Sequence, residues 1–254
     1  YGFAVGLGDI SQTDDIFLNF AITHPRSNSY ILYDGTYNMS SGAFKGNFSG
    51  EFQLLATLVN SLTREQTLAD MFNVPFVFSV VLDADSQMLT LNSLALKYAE
   101  VIEGSGNVKI PLTASEGQKP VVEVDYQLLN LDAQPLVMIA QMALNALHNG
   151  QLAYEPQTDF DIMINLSGQR MVISEAADGV LENVSFKGSW QNNALNIDEF
   201  YAACPGNIVW TMSGSLLAEE KMPNLFLKTR IEGKNFGAFV RAFDYPLSAS
   251  SQSA

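Results

Sequence analysis

The side chains in this chain best suited to chemistry are carboxylates set two residues apart. Asp83 and Asp85 in "DAD", and Asp159 and Asp161 in "DFD", each place two acids on one side of a strand or turn. Such pairs can hold a metal for phosphoryl or glycosyl transfer; more often they are solvated strand ends. His24 stands before Pro25 in an expected loop. His148 falls in the last turn of an expected helix, where an imidazolium suits the helix dipole. A zinc site needs a tight cluster of His, Cys or carboxylate ligands, and neither histidine has that spacing. Cys204, in "AACPGN", has no partner base and reads as a small core residue. "EGSGN" (103–107) lacks the lysine and following helix of a phosphate loop. Asn38, Asn47, Asn165 and Asn183 begin N-x-S sequons, yet each reads as an outward polar strand residue. No catalytic residue, metal ligand or cofactor is therefore expected.

Strands dominate the elements that must position anything else. In "VVEVDYQL" (121–128), Val122, Val124, Tyr126 and Leu128 point one way, and Val121, Glu123, Asp125 and Gln127 the other. The same period of two aligns Ile16, Leu18, Phe20 and Ile22; Phe76, Phe78, Val80 and Leu82; and Phe160, Ile162, Ile164 and Leu166. It recurs at Leu195 and Ile197, at Trp210 and Met212, and at Leu225, Leu227, Thr229 and Ile231. Phe44, Phe48 and Phe52 keep one face, thinned by Gly46 and Gly50. Turns are expected at Asp34-Gly35, Gly104-Ser105-Gly106, Asp178-Gly179 and Pro205-Gly206-Asn207. Helices are expected over 51–72, from a cap at Asp132 to Gly150, and over 236–243 before Pro246.

The chain has 254 residues, 47% hydrophobic and 16% charged, enough to bury a sizeable core. Its formal net charge of -14 argues against nucleic acid and against docking of a whole face onto an anionic membrane. With one cysteine no internal disulfide can form, which suits cytosol or periplasm. No apolar run reaches the length that spans a bilayer; 135–147 is short and broken by Gln141 and Asn145. The first residue, Tyr1, and the small polar end, 248–254, read as those of a piece cut from a longer protein.

The pattern repeats. "LTLNSLALKYAEVIEGSGNVKIPL" (89–112) and "LNIDEFYAACPGNIVWTMSGSLLA" (195–218) each carry two apolar strand residues, Leu89 and Leu91 or Leu195 and Ile197. A further apolar anchor follows (Leu94; Phe200), then a turn and a strand around Gly106 or Gly214. Next come a proline, an alternating strand ("PVVEVDYQL"; "PNLFLKTRI") and a helix. Tandem modules are expected over 1–73, 74–150 and 151–247. Each dry face must be covered. By the residues alone, a second sheet, as in a sandwich, a helix or a ligand would serve.

These stretches, with "PVVEVDYQLLNLDAQPLVMIA" and "MPNLFLKTRIEGKNFGAFVRAF", resemble the AsmA-like proteins of Gram-negative envelopes over residues 74–247. The resemblance implies a mainly β fold, an elongated, strongly curved antiparallel sheet forming an apolar groove, with a few short edge helices. It implies a periplasmic protein, tethered to the inner membrane through a segment absent from this chain. Such a protein would hold phospholipid or another diacyl lipid and support outer-membrane lipid homeostasis, with envelope proteins at either end. The groove would be lined by Phe76, Phe78, Val80, Leu82, Leu89, Leu91, Val122, Val124, Tyr126, Leu128, Ile162, Ile164, Leu195, Ile197, Trp210, Met212, Leu225 and Leu227. The competing expectations are a β-sandwich sugar-binding or adhesion module, which needs an exposed aromatic platform, and a secreted β hydrolase, which needs an acid pair or nucleophile in a cleft.

Overall fold

The computed structural model describes residues 2–7, 14–24, 29–52, 75–98, 101–114, 118–133, 160–174, 179–192, 194–217 and 224–243. The alternating segments become strands β1 (Gly2–Leu7), β2 (Asp15–His24), β3 (Ser29–Asn38), β4 (Phe44–Phe52), β5 (Phe76–Ala84), β6 (Met88–Tyr98) and β7 (Ile102–Pro111). They continue as β8 (Val121–Asp132), β9 (Asp161–Val172), β10 (Val180–Gln191), β11 (Ala194–Cys204), β12 (Ile208–Leu217) and β13 (Asn224–Glu232). The strands are hydrogen-bonded in chain order as a 13-stranded sheet, with β1 and β13 at its two ends. Consecutive pairing of this kind is a meander, as short connections such as that from Ala84 to Met88 dictate, while longer stretches lead from Phe52 to Phe76 and from Asp132 to Asp161. Contacts divide the chain into two compact units, Tyr1–Glu123 and Val124–Ala254.

In the first unit, cross-strand register sorts the side chains. Directly opposed residues of antiparallel strands share a face. One row runs Ile16, Tyr37, Phe44, Ala84, Leu89, Ile110. The next runs Leu18, Gly35, Gly46, Leu82, Leu91, Val108, and a third Phe20, Tyr33, Phe48, Val80. The opposite face carries Asp34 beside Asn47, and Lys45 beside Asp83, the latter pair joined at 3.1 Å. Alternation locked in register makes one side of this sheet mainly apolar and the other mainly polar, although Phe17, Leu32 and Val77 stand exposed on the polar side.

Two expected turns lie inside strands. Asp34-Gly35 sits in the middle of β3, and Gly104-Ser105-Gly106 in β7. Gly35 is there for space: a Cβ on it would run into Tyr33 Oη and the Lys45 carbonyl oxygen. The Tyr33 ring is 1% exposed, stacked between Phe20 at 5.3 Å and Phe44 at 4.6 Å. The expected turn at Pro205-Gly206-Asn207 does join β11 to β12, with Gly206 at φ 84 and Asn207 at φ 55.

The second unit has matching rows. Ile162, Trp190, Leu195, Leu216 and Leu225 form one; Ile164, Gly188, Ile197, Gly214 and Leu227 a second; Leu166, Phe186, Phe200, Met212 and Thr229 a third. The core lies at one end of this face, in Leu181, Val184, Ala202, Cys204 and Ile208. Over it sits helix α1 (Phe236–Ala242), within the expected span, its N-terminus capped by Asn235 Oδ1, which accepts from the Ala238 N–H at 3.1 Å. Ala238 and Ala242 are buried, and Ser174 Oγ donates to the Ala242 carbonyl at 2.6 Å. The other two expected helices fall on 53–72 and 134–150, outside the described residues. Glu51 and Phe52, expected to open the first, instead finish β4, and Asp132 ends β8.

Both repeated stretches contain the same irregularity. In β6, Leu91 and Leu94 oppose Val108 and Gly106, so the chain carries one extra residue around Ser93, at φ 52. In β11, Ile197 and Phe200 oppose Gly214 and Met212, with the extra residue at Asp198–Glu199. A β-bulge is the physical reason an apolar spacing of three keeps one face. The glycines differ: Gly106 faces the anchor after its bulge, Gly214 the residue before its own.

Candidate functional site

Several of the described residues with nameable chemistry serve local structure. Asp83 pairs with Lys45 on the polar side. Asp85 accepts the N–H groups of Gln87 at 2.7 Å and Met88 at 2.8 Å, which hold its carboxyl below the usual range. Asp159 is outside the described residues, and Asp161 opens β9 with its Oδ1 buried. His24 is the last residue of β2, opposite Ser29, rather than in a loop; His148 is outside the described residues. Cys204 is buried at the end of β11, and burial pushes its thiol up to about 11. Asn107 Oδ1 accepts the Ser93 N–H of the β6 bulge at 3.0 Å.

The sequon asparagines serve strands and turns. Asn38 donates to Asp15 Oδ1 at 2.7 Å and accepts from Ser41 N–H at 2.8 Å. Asn165 donates to Asp125 Oδ1 at 3.3 Å across β9 and β8. Asn47 lies in β4 between Asp34 and Val81, and Asn183 sits at φ 49 where β10 shifts register.

The distinctive surface is the apolar side itself. In the first unit, Phe76, Phe78, Val80, Leu82, Leu89, Leu91 and Val122 are half-buried or buried. Rings carpet this side: Phe48 and Phe78 lie 5.2 Å apart, Phe52 and Phe78 6.2 Å, Phe76 and Tyr98 6.5 Å. In the second unit, Val124, Tyr126 and Leu128 alternate on β8 with exposed Glu123, Asp125 and Gln127. Ile162, Ile164, Leu195, Ile197 and Met212 occupy the rows described above.

The remaining expected residues are placed differently. Trp210 lies under α1, its ring 5.1 Å from Phe200 and 5.8 Å from Phe243, its Nε1 donating to Thr229 Oγ1 at 2.8 Å. Leu225 and Leu227 sit on β13, 59% and 40% exposed, because β12 is its one neighbour in the sheet order.

A pocket of about 260 Å³ opens on the apolar side of the second unit. Leu128, Leu166, Met171, Val184, Phe186 and Phe200 supply its walls, Gly168 part of its floor, and Arg170 its one cation among the described residues. Gly168 faces Val184 across β9 and β10. A Cβ on it would stand 3.7 Å from Val184 Cβ and 3.8 Å from Leu128 Cβ, ordinary contact distances, so the missing side chain leaves real space. Of these residues only Leu128 was among the expected groove lining. Val184 and Phe186 belong to β10, whose apolar positions run 181, 184, 186 and then Gly188, breaking the period that would reveal it.

Electrostatics separate the sides further. Lys97 pairs with Glu103 at 3.6 Å, Lys109 with Glu123 at 3.1 Å and Lys187 with Glu199 at 3.8 Å, all exposed and each worth little alone. Comparison with protein-family models, curated proteins and solved structures finds no match for this chain.

Proposed function

We propose that this chain is a lipid-binding and transfer module of an envelope protein like the AsmA-like proteins of Gram-negative bacteria. In this reading the sheet is curved into an apolar groove that holds phospholipid acyl chains. The protein then acts in the periplasm, tethered to the inner membrane by a segment outside this sequence, and passes lipid between envelope partners. The observation that carries the reading is the register-locked apolar side, interrupted by a pocket of about 260 Å³ walled by Leu128, Leu166, Val184, Phe186 and Phe200. Burying methylenes there is worth about 0.8 kcal/mol each. Ten of them would offset the roughly 4–15 kcal/mol cost of immobilising a ligand at the lower end of that range.

The test is native mass spectrometry of the protein purified without detergent, with uptake of fluorescent phospholipid measured in parallel. Non-covalently bound diacyl lipid and saturable uptake are expected. A lipid-free protein that takes up no probe would overturn the proposal and leave only the β fold.

A further inference from the structure

We infer that Arg170 receives the phosphodiester of a diacyl lipid whose acyl chain occupies the Gly168 pocket. The inference rests on the lipid reading above and names the headgroup chemistry. Among the described residues every other wall of the pocket is apolar or small, and Arg170 is the one ionised residue that lines it. Its Nη1 donates to the neutral amide oxygen of Asn130 at 3.0 Å, which holds the guanidinium in place without cancelling its charge. Glu182 is its register partner on β10, yet no carboxylate oxygen of the described residues lies within 4.0 Å of the guanidinium. Lys45, Lys97, Lys109, Lys187 and Arg230 have carboxylate partners, while Lys228, Lys234 and Arg241, like Arg170, have none among the described residues, but none of these three lines this pocket.

An occupant that fills an apolar pocket and ends at an uncompensated guanidinium is an amphiphile with an anionic head. The guanidinium's planar fork matches the two free oxygens of a phosphodiester. In a chain of net charge -14, a guanidinium with no carboxylate bound to it at the rim of an apolar pocket favours that ligand against the repulsion of the rest of the surface. The glycine floor admits the chain beside it.

The experiment is displacement of a fluorescent fatty-chain probe from the whole chain by dioctanoyl phosphatidylglycerol or by dioctanoylglycerol, which share acyl chains and differ in the phosphate. The wild type is expected to bind the phosphate-bearing lipid about tenfold more tightly, with the gap narrowing as salt rises. Arg170→Gln should close the gap by weakening the phosphate-bearing lipid alone, and Arg170→Lys should keep part of it. Equal affinities in the wild type would overturn the inference while leaving the lipid reading intact. So would an Arg170→Gln protein that loses both lipids equally, since that marks a structural role. Displacement by neither lipid removes the acyl-chain reading itself, and this inference with it.

Discussion

The Tyr33 phenol oxygen lies 2.6 Å from where a Cβ would stand on Gly46, so the tyrosine ring occupies the space two cross-strand glycines leave open. Its hydroxyl donates to the Lys45 carbonyl at 3.2 Å. The glycines thin the apolar side by two side chains, and one aromatic ring lying flat restores the covering. Gly46→Ala is expected to destabilise the first unit by about 2 kcal/mol, the range of overpacking in a closed core. Tyr33→Ala should not rescue it, because the same Cβ would also meet the Asp34 carbonyl at 2.5 Å. Tyr33→Phe, which keeps the ring, should cost only about 1 kcal/mol for the lost hydrogen bond. Urea unfolding of the three variants measures all of this.

The same burial sets a pH dependence. Burial raises Tyr33, helped by the Asp34 carboxylate, and burial raises Tyr98, both above their ordinary 10.0; Cys204 rises from 9.0 to about 11. Each group is neutral in the fold and ionises more readily when unfolded. Their contribution is fully present below the unfolded values and is lost as pH climbs through the folded ones. The urea midpoint should therefore hold steady up to about pH 9 and fall above it. Cys204→Ala should flatten the part of the decline between pH 9 and about 11, and Tyr33→Phe the part above 10. A midpoint that rises with alkali would contradict the buried, neutral state of these groups.

The β6 bulge offers a sharper structural test. Deleting Ser93 removes the extra residue and leaves Leu94 two positions after Leu91, so Leu94, Leu96 and Tyr98 keep the face of Leu89 and Leu91 and pair with β5 and β7 without a bulge. A folded protein is therefore expected, which loses the Ser93 N–H to Asn107 bond and changes in stability by about 1 kcal/mol. Ser93→Gly keeps the residue count and relieves a φ of 52, so it should stabilise by about 1 kcal/mol. Circular dichroism and thermal unfolding of the two variants separate register from local strain.

Strand identity was legible wherever two-residue alternation ran unbroken, as at Val121–Asp132, Phe76–Ala84 and Asn224–Glu232. It failed at glycines, for opposite reasons. Asp34-Gly35 has turn chemistry, yet tertiary packing of Tyr33 claims the glycine for a strand interior. β10 went unread because its bulge shifts the apolar spacing from two to three between Leu181 and Val184. The pocket inherited that blindness, since Val184, Phe186 and Gly168 meet only through register. A glycine reads as a gap in a pattern, and only its cross-strand partners reveal that the gap is a space.

That space gives the most direct separation of core from ligand site. Gly168 has ordinary clearance to Val184 and Leu128, and its φ is not in the left-handed region, so Gly168→Ala should fold normally. Gly168→Leu sends three further carbons into the pocket of about 260 Å³. If the pocket holds an acyl chain, the leucine replaces it. Bound lipid should then drop about tenfold, the loss of roughly two buried methylenes, with the melting temperature unchanged or raised. If the pocket instead closes against protein, the same leucine overpacks a core, costing about 1–3 kcal/mol and lowering the melting temperature by several degrees. Thermal unfolding and lipid occupancy measured on one preparation decide between the two, because lipid loss at full stability cannot come from a disrupted core.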